Sequence, residues 1–298
     1  MTLSIIIVNW NVRHYLEKCL LSIIKNTHDL DYEIIVVDNN STRDDSKKFL
    51  ANFKTEENLK IILNNQNLGF AKANNQGIKQ AQGEYVLLLN PDTEIIKEGS
   101  LAMAVELMKK NKDWGVLGCR LWEADKQTQL SVRSFPRLIP QIMISLKLHH
   151  IFPRARVLRN YFQPNFDYEK ITSVDQVMGA FLMTKKEVLS KIGMLDEKFY
   201  IWFEEVDFCK RTKQAGWKVV YSPNPTIIHY GSQSFAQVLS LAKQRIYNRS
   251  AIHYFRKYYP WKANVLLLLS PLSLGLAYVS GLFLRIKKIL SKQNVKIH

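Results

Sequence analysis

A chain of 298 residues with 47% hydrophobic and 23% charged side chains has the composition of a folded globular protein, long enough for one or two domains. This excludes a disordered or fibrous chain. The formal charge of +16 is unevenly placed: no acidic residue follows Asp207, and that tail carries 15 lysines and arginines, leaving residues 1–207 near neutrality. A second acid-free stretch, 126–166, holds Lys126, Arg133, Arg137, Lys147, Arg154, Arg156 and Arg159. Basic blocks of this kind suit nucleic acid, anionic lipid or diphosphate groups alike, and their neighbours must choose between them.

In chain order, Leu3–Val8 is a short apolar run ending at Asn9, which predicts a buried parallel strand. No basic stretch or small-residue cleavage site precedes it, so no secretory signal is expected. Val12, Tyr15, Leu16, Cys19, Leu20 and Ile23 recur at helical spacing over 12–26. A second strand, Glu33–Val37, stops at Asp38-Asn39-Asn40-Ser41. A polar helix to about Phe53, a strand Leu59–Leu63 and a helix from Phe70 to Gln82 follow. The strand Glu84–Leu89 stops at Asn90-Pro91-Asp92, and a helix over 98–110 leads to a strand at Gly115–Cys119. This alternation predicts an α/β fold, a Rossmann-like, mostly parallel sheet flanked by helices. In such sheets ligands sit beyond the carboxyl ends of the strands, where the polar clusters at Asn9, Asp38–Ser41 and Asn90–Asp92 all fall.

The region 124–173 is aromatic and basic, with an apolar helical stretch near Leu138–Leu148, and reads as an elaboration over the active-site edge rather than a domain of its own. Val174–Thr184 returns to strand character, interrupted by Gly179-Ala180. Glu204–Ala215 predicts a helix closed by Gly216, Trp217–Tyr221 a last strand, and 235–258 a basic amphipathic helix. Residues 265–284 carry no charge over 20 positions, enough for a helix of about 30 Å, the thickness of a hydrocarbon core. Lys257 and Lys262 flank it on one side and Arg285, Lys287, Lys288 and Lys292 on the other. Membrane association is expected there, while Pro271, Gly275 and Gly281 leave a kinked or hairpin-like insertion open. The three cysteines, Cys19, Cys119 and Cys209, lack paired spacing and are expected to be free thiols in a reducing compartment.

Three constellations carry potential chemistry. Asp92, behind the rigid Asn90-Pro91, is a carboxylate at the ligand edge able to hold a divalent cation, although alone the motif is equally a turn and helix cap. Glu204 and Glu205 stand at a helix start, where the dipole favours carboxylates; Asp207 and Arg211 are placed to pair one turn apart, and Trp202, Phe203 and Phe208 can partly desolvate a carboxylate into a better base. The alternative for this cluster is ordinary helix capping. His229 follows an apolar strand and gains a metal role only if the fold brings it to Asp92.

The ordered set SIIIVNWN, IIVVDNNS, NLGFAKANNQGI, YVLLLNPDT, MGAF, LDEKFYIWFEEVDFCKR and HYGSQS resembles glycosyltransferase family 2, nearest its bacterial rhamnosyltransferase-like members, from residue 3 to about 235. The resemblance implies a GT-A fold over 1–235, with a nucleotide-sugar-binding half (1–120) and an acceptor-binding half (121–235), followed by a membrane-associated segment (236–298). It implies an inverting enzyme that moves a sugar, rhamnose being one choice, from a nucleotide sugar to a saccharide or polyprenyl-diphosphate-linked acceptor in surface polysaccharide or lipopolysaccharide synthesis. By the same resemblance Asn9, Asp38, Asn40, Asn74 and Asn90 would face the nucleotide sugar, and Gly179, Ala180 and Trp202 the acceptor. Asp92 and His229 would hold Mg2+ or Mn2+, and Glu205, with Glu204 as the alternative, would be the base. Asn90 stands where the family often has an aspartate, which removes one charge from the metal site.

A lipid-linked acceptor places the enzyme at the cytoplasmic face of the cell's inner membrane, with anionic lipid as partner of the basic tail. Nucleic acid is not expected, because the charge is confined to the tail and no nucleic-acid-binding motif accompanies it. A related nucleotidyltransferase is the enzyme rival, weakened by Asn9-Trp10-Asn11-Val12-Arg13, which lacks the glycine-rich loop that holds a triphosphate. A basic membrane- or nucleic-acid-binding protein without catalysis is the remaining alternative.

Overall fold

A computed structural model of the chain describes residues 1–53, 57–231, 233 and 237–294, with side chains described through Leu282. The chain divides into two compact units: one comprises 1–135 and 162–236, the other 136–161 and 237–298.

The first unit is built on a sheet of nine strands. β1 (Leu3–Asn9), β2 (Tyr32–Asp38), β3 (Leu59–Leu63) and β4 (Tyr85–Leu89) run parallel in the order β3-β2-β1-β4. The sheet continues through β8 (Phe181–Lys185), β6 (Trp114–Trp122), β9 (Lys218–His229) and β5 (Thr93–Ile95), with the short β7 (Thr172–Ser173) beside β9. Alternate residues face opposite sides. Ile5, Ile7, Ile34, Val36, Leu87 and Leu89 belong to one apolar cluster, while Ile6, Ile35, Val86 and Leu88 belong to the other. The first side is covered by α1 (Arg13–Asn26), α2 (Ser46–Ala51) and α4 (Ser100–Lys110) through Leu16, Leu20, Phe49, Leu101 and Met108. The second is covered by α3 (Phe70–Gln80), α8 (Lys186–Ile192) and α9 (Glu204–Gln214) through Ala71, Val188, Phe208 and Cys209. Burial on both faces is why these strands read as continuous apolar runs. The three cysteines are free, as expected, and all three are buried.

The sheet is more mixed than the alternation predicts: β8 is antiparallel to both β4 and β6, and β5 is antiparallel to β9. The reason lies in the connection. A parallel strand requires a crossover returning the chain to the opposite edge. After β6 the chain leaves the carboxyl edge and re-enters β8 from that same edge, through Gly179-Ala180. The last strand is also longer than expected, 12 residues instead of a stretch ending at Tyr221, and it carries His229 at its end.

The division of the chain differs from the expected boundaries at 1–235 and 236–298. Residues 136–161 form α5 (Leu138–Ser145), α6 (Leu148–Ile151) and most of α7 (Arg156–Phe162), and they group with the C-terminal helices. Both faces of the sheet already carry helices, so an apolar helix such as α5 finds its partners elsewhere: α10 (Ser240–Tyr258) and α11 (Pro260–Asn294). The expected boundary at 235, with Ser232 and Ser234 of the HYGSQS motif, lies outside the described residues. So do the side chains of Arg285, Lys287, Lys288 and Lys292. α11 is one continuous helix through Pro271, not a hairpin, and its stretch Pro260–Leu282 is long and apolar enough to cross a membrane, with 17% of its most apolar window buried.

One ion pair ties α9 to the segment before it. Arg211 donates to Asp207 at 2.7 Å, realising the expected one-turn pairing, and also to the carbonyls of Ile192 at 2.6 Å and Met194 at 2.8 Å. Asp207 is fully buried, so removing the guanidinium takes the counter-charge from a carboxylate in the core. Arg211→Ala is expected to lose about 3 kcal/mol or more of unfolding free energy. Lys109→Ala, at an exposed ion pair, should change it by less than about 1 kcal/mol. Denaturant titration of both variants checks the contrast.

Candidate active site

Parallel strands end at a common level, so side chains just past β1, β2 and β4 are gathered on one edge by register alone: Asn9 is paired with Asp38, and Ile7 with Leu89. β8 begins at this edge opposite the end of β4, and β9 delivers His229 in register with Thr93.

Asp92 and His229, 137 positions apart in the chain, meet with Oδ1 and Nε2 3.5 Å apart, both buried. Backbone bonds lock the pair, since the Tyr230 N–H donates to the Asp92 carbonyl at 2.8 Å and the Gln233 N–H to Oδ2 at 3.3 Å. The tautomer of His229 follows from its neighbours. Glu123 Oε1 accepts from Gln129 Nε2 at 2.7 Å, which turns the amide oxygen of Gln129 toward His229 Nδ1, also at 2.7 Å. An oxygen can only accept, so Nδ1 carries a proton and Nε2 is turned toward Asp92. Asp92 Oδ1 and His229 Nε2 face each other across 3.5 Å, with Asn90 Nδ2 3.4 Å from Nε2. A carboxylate oxygen and an imidazole nitrogen are both ligand atoms for a divalent cation. Mg2+ and Mn2+ suit such a place, because they bind through one or two protein groups and take their remaining ligands from water and phosphate. Among the described residues no cluster of three or more His, Cys, Asp or Glu could hold a metal, so Asp92 and His229 would supply the protein's share.

Asn9 and Asp38 are joined by a bond of 2.8 Å from the Asn9 amide to Asp38 Oδ1; Asp38 Oδ2 accepts from the Ser41 N–H at 3.0 Å. Both side chains are fully buried, and Asn9 Oδ1 has no hydrogen-bond partner. Asn40 follows at φ 62°, its side chain reached by Lys47 at 3.4 Å. Asn74 lies a turn inside α3 and donates to the Phe70 carbonyl at 2.9 Å, so its amide serves the helix. Its neighbour Asn75 makes the long-range contacts, donating to the Leu195 carbonyl and accepting from the Leu195 N–H at 2.9 and 3.1 Å.

The carboxylate pair is set by an unusual helix start. Trp202 and Phe203 both have left-handed backbone, φ 64° and 72°, costly for non-glycine residues and common where a site fixes its geometry. The loop before them is seated on α3: the Phe70 N–H donates to the Tyr200 carbonyl at 2.6 Å, and at Gly69, φ 85°, a Cβ would stand 2.6 Å from that oxygen. Glu204 is 3% exposed, and burial together with the charge of Glu205 pushes its carboxyl well above the usual range. Glu205 is half-buried beside Gly179, whose added Cβ would contact its Cβ at 3.6 Å. Burial raises its pKa too, while N–H groups of the helix start and the cation of Arg133 pull in the other direction. One carboxylate oxygen of each residue has no hydrogen-bond partner. Ala180 completes the edge by accepting the Asn90 N–H at 3.0 Å.

The edge therefore gathers Asn9 with Asp38, Asn90 with Asp92 and His229, and Gly179 with Glu205. Glu123, Gln129, Arg133, Gly69 and Asn75 act around it without standing out in the sequence. Of these, only Gly69 in the NLGF turn carries a local signal; the others act through contacts 6 to 120 positions away.

The Glycosyl transferase family 2 profile matches residues 4–193. The chain is 25% identical over 243 residues to an N-acetylglucosaminyl-diphospho-decaprenol L-rhamnosyltransferase of Mycobacterium tuberculosis, covering 78% of this chain and 77% of that protein. It is 27% identical to the rhamnosyltransferase WbbL of Escherichia coli, covering 76% and 82%. Its fold is similar to a mannosyltransferase of Pyrobaculum calidifontis solved with GDP-Man and Mn2+, with a TM-score of 0.58 and 17% identity over 99% of this chain and 79% of the other.

The raised carboxyl of Glu204 has a stability consequence. The folded state keeps a proton that the unfolded chain gives up near its ordinary value of 4.5. Its contribution is therefore complete below that value and is lost as pH rises through the raised one. Glu204→Gln should match the wild type in thermal midpoint near pH 4 and equal or exceed it at pH 8. A variant that melts lower at pH 8 would contradict the assignment.

Proposed function

This chain belongs to glycosyl transferase family 2, and from that membership and the geometry of the edge we propose that Asp92, His229 and Glu205 together carry an inverting transfer to a lipid-linked saccharide. The observation that carries the reading is the buried Asp92–His229 pair, a carboxylate oxygen and a ring nitrogen 3.5 Å apart that can both ligate a cation. A divalent cation bound there would supply Lewis-acid neutralisation of the donor's diphosphate as the glycosyl–oxygen bond breaks. Gln129, backed by Glu123, holds the His229 ring with Nε2 turned toward Asp92. Asn9, Asp38, Asn40 and Asn90 form the nucleotide-sugar side of the edge, Asn9 through its unpartnered oxygen.

Glu205 is the base, not Glu204, because it is the more exposed of the two and borders Gly179. It accepts the proton of the acceptor hydroxyl as that oxygen bonds to the anomeric carbon, and the nucleoside diphosphate leaves from the opposite face. A raised pKa brings its basicity toward that of the group it must deprotonate, so the acid limb of the rate profile should lie above the ordinary carboxylate range. Gly179, Ala180 and Trp202 border the acceptor. The relatives' names support a rhamnosyl donor and a polyprenyl-diphosphate acceptor in surface polysaccharide synthesis, and α11 with its basic neighbours supports work at the cytoplasmic face of the inner membrane.

Nucleotide release from detergent-solubilised protein tests the reading against a panel of nucleotide sugars, with lipid-linked saccharide as acceptor. Asp92→Ala and Glu205→Gln are each expected to lose about 10²-fold or more in turnover with the fold intact by circular dichroism. A wild-type rate in either refutes its role. Removing divalent ions with EDTA should abolish release, and Mn2+ or Mg2+ should restore it. Gln129→Leu should raise the cation concentration for half-maximal rate by about 10-fold, since it frees the His229 ring without touching the ligands themselves.

A further inference from the structure

The partition of charge between the two units is total. All 26 acidic residues lie in 1–135 and 162–236 with 26 lysines and arginines, so that unit is neutral; 136–161 and 237–298 hold 16 lysines and arginines and no acid. Two segments separated by 75 residues of sequence are thus one cationic body carrying the entire net charge.

Within that body the inserted segment is fixed to the tail by a buried polar contact: the Tyr247 hydroxyl of α10 donates to the side-chain oxygen of Gln141 on α5, which is fully buried. α10 is held to α11 in turn, with Asn248 donating to Ser270 at 2.9 Å and Ser273 at 2.6 Å. Wherever α11 goes, α5 goes with it. α11 shows the solvent large apolar side chains, Leu268 at 81% exposure among them, and the insertion does the same with Ile151 at 68% and Phe152 at 56%. Arg154, Arg156 and Arg159 follow these two directly and are exposed. Apolar side chains next to arginines, with no carboxylate on any element of the body, match the boundary between acyl chains and anionic headgroups: the apolar groups enter the acyl region and the guanidinium groups stay with the phosphates.

We propose that residues 148–159 are a second membrane contact, seating Ile151 and Phe152 in the headgroup layer of an anionic bilayer while α11 supplies the first. The inference rests on the lipid-linked-acceptor reading for its purpose, but it is tested without turnover. Because Cys19, Cys119 and Cys209 are buried, a cysteine placed at 152 takes a thiol-reactive fluorophore selectively.

Full-length Phe152→Cys and, as control, Ser190→Cys at an exposed position of α8 are labelled and reconstituted into vesicles containing phosphatidylglycerol and headgroup-nitroxide lipid. Quenching at 152 is expected to exceed that at 190 by at least ~3-fold and to weaken in vesicles of phosphatidylcholine alone. Ile151→Cys should behave like Phe152→Cys. Equal quenching at 152 and 190 overturns the proposal, as does indifference to anionic lipid. So does shielding of the label without lipid, whether it grows with protein concentration (a second copy) or with added duplex DNA. Nucleotide release by the labelled protein, measured in detergent, reports separately on the transferase reading.

Discussion

The contact on which the site depends is the opposition of Asp92 Oδ1 and His229 Nε2. The surrounding structure holds these two buried groups at that distance through backbone bonds to Asp92 and the Glu123–Gln129–His229 chain. Fixed polar groups aimed at a charge that arrives only with substrate are an efficient way to stabilise developing charge, because nothing has to reorient when the bond breaks. The cost is borne by the register of β9 against β5, which places His229 beside Thr93 and so next to Asp92.

The carboxylates follow a related logic by different means. Glu204 and Glu205 sit at the first turn of α9, where free N–H groups favour negative charge, yet burial drives both pKa values upward. Adjacent positions on a helix point in different directions, which separates a carboxyl turned into the interior from one beside Gly179. The left-handed Trp202 and Phe203 aim this turn, and the contact of Tyr200 with Gly69 and Phe70 holds the loop in place. Arg211 secures the same loop upstream at Ile192 and Met194. The turn that carries Glu204 and Glu205 is thus positioned from both sides.

The partition of charge gives the two units distinct physical characters. A neutral α/β body presents a local, pre-arranged cluster of carboxylates and amides. A body of +16 without a single carboxylate is suited to a surface of phosphates. The insertion 136–161 leaves the sheet-bearing unit and returns to it between Arg133 and Phe162, whose guanidinium and ring lie 5.3 Å apart. Arg133 is also the cation whose field reaches Glu205.

The helix and strand order through β6, apart from the short β5, was legible in the amino-acid pattern alone, as were the polar edge at Asn9, Asp38 and Asp92, the Asp207–Arg211 pair, the family, and the apolar basic tail. Each of these is written in local patterns: short continuous apolar runs for the strands, period-3.6 burial for the helices, one-turn charge spacing, or an ordered set of motifs. The remaining features depend on contacts between distant positions. The antiparallel β8 follows from where the chain re-enters the sheet, and the Asp92–His229 meeting follows from pairing across more than a hundred residues. Gln129, Asn75 and Arg133 looked like ordinary polar positions because their partners lie elsewhere in the chain. The grouping of 136–161 with the tail was equally invisible, since an apolar helix announces that it must be buried but not against what.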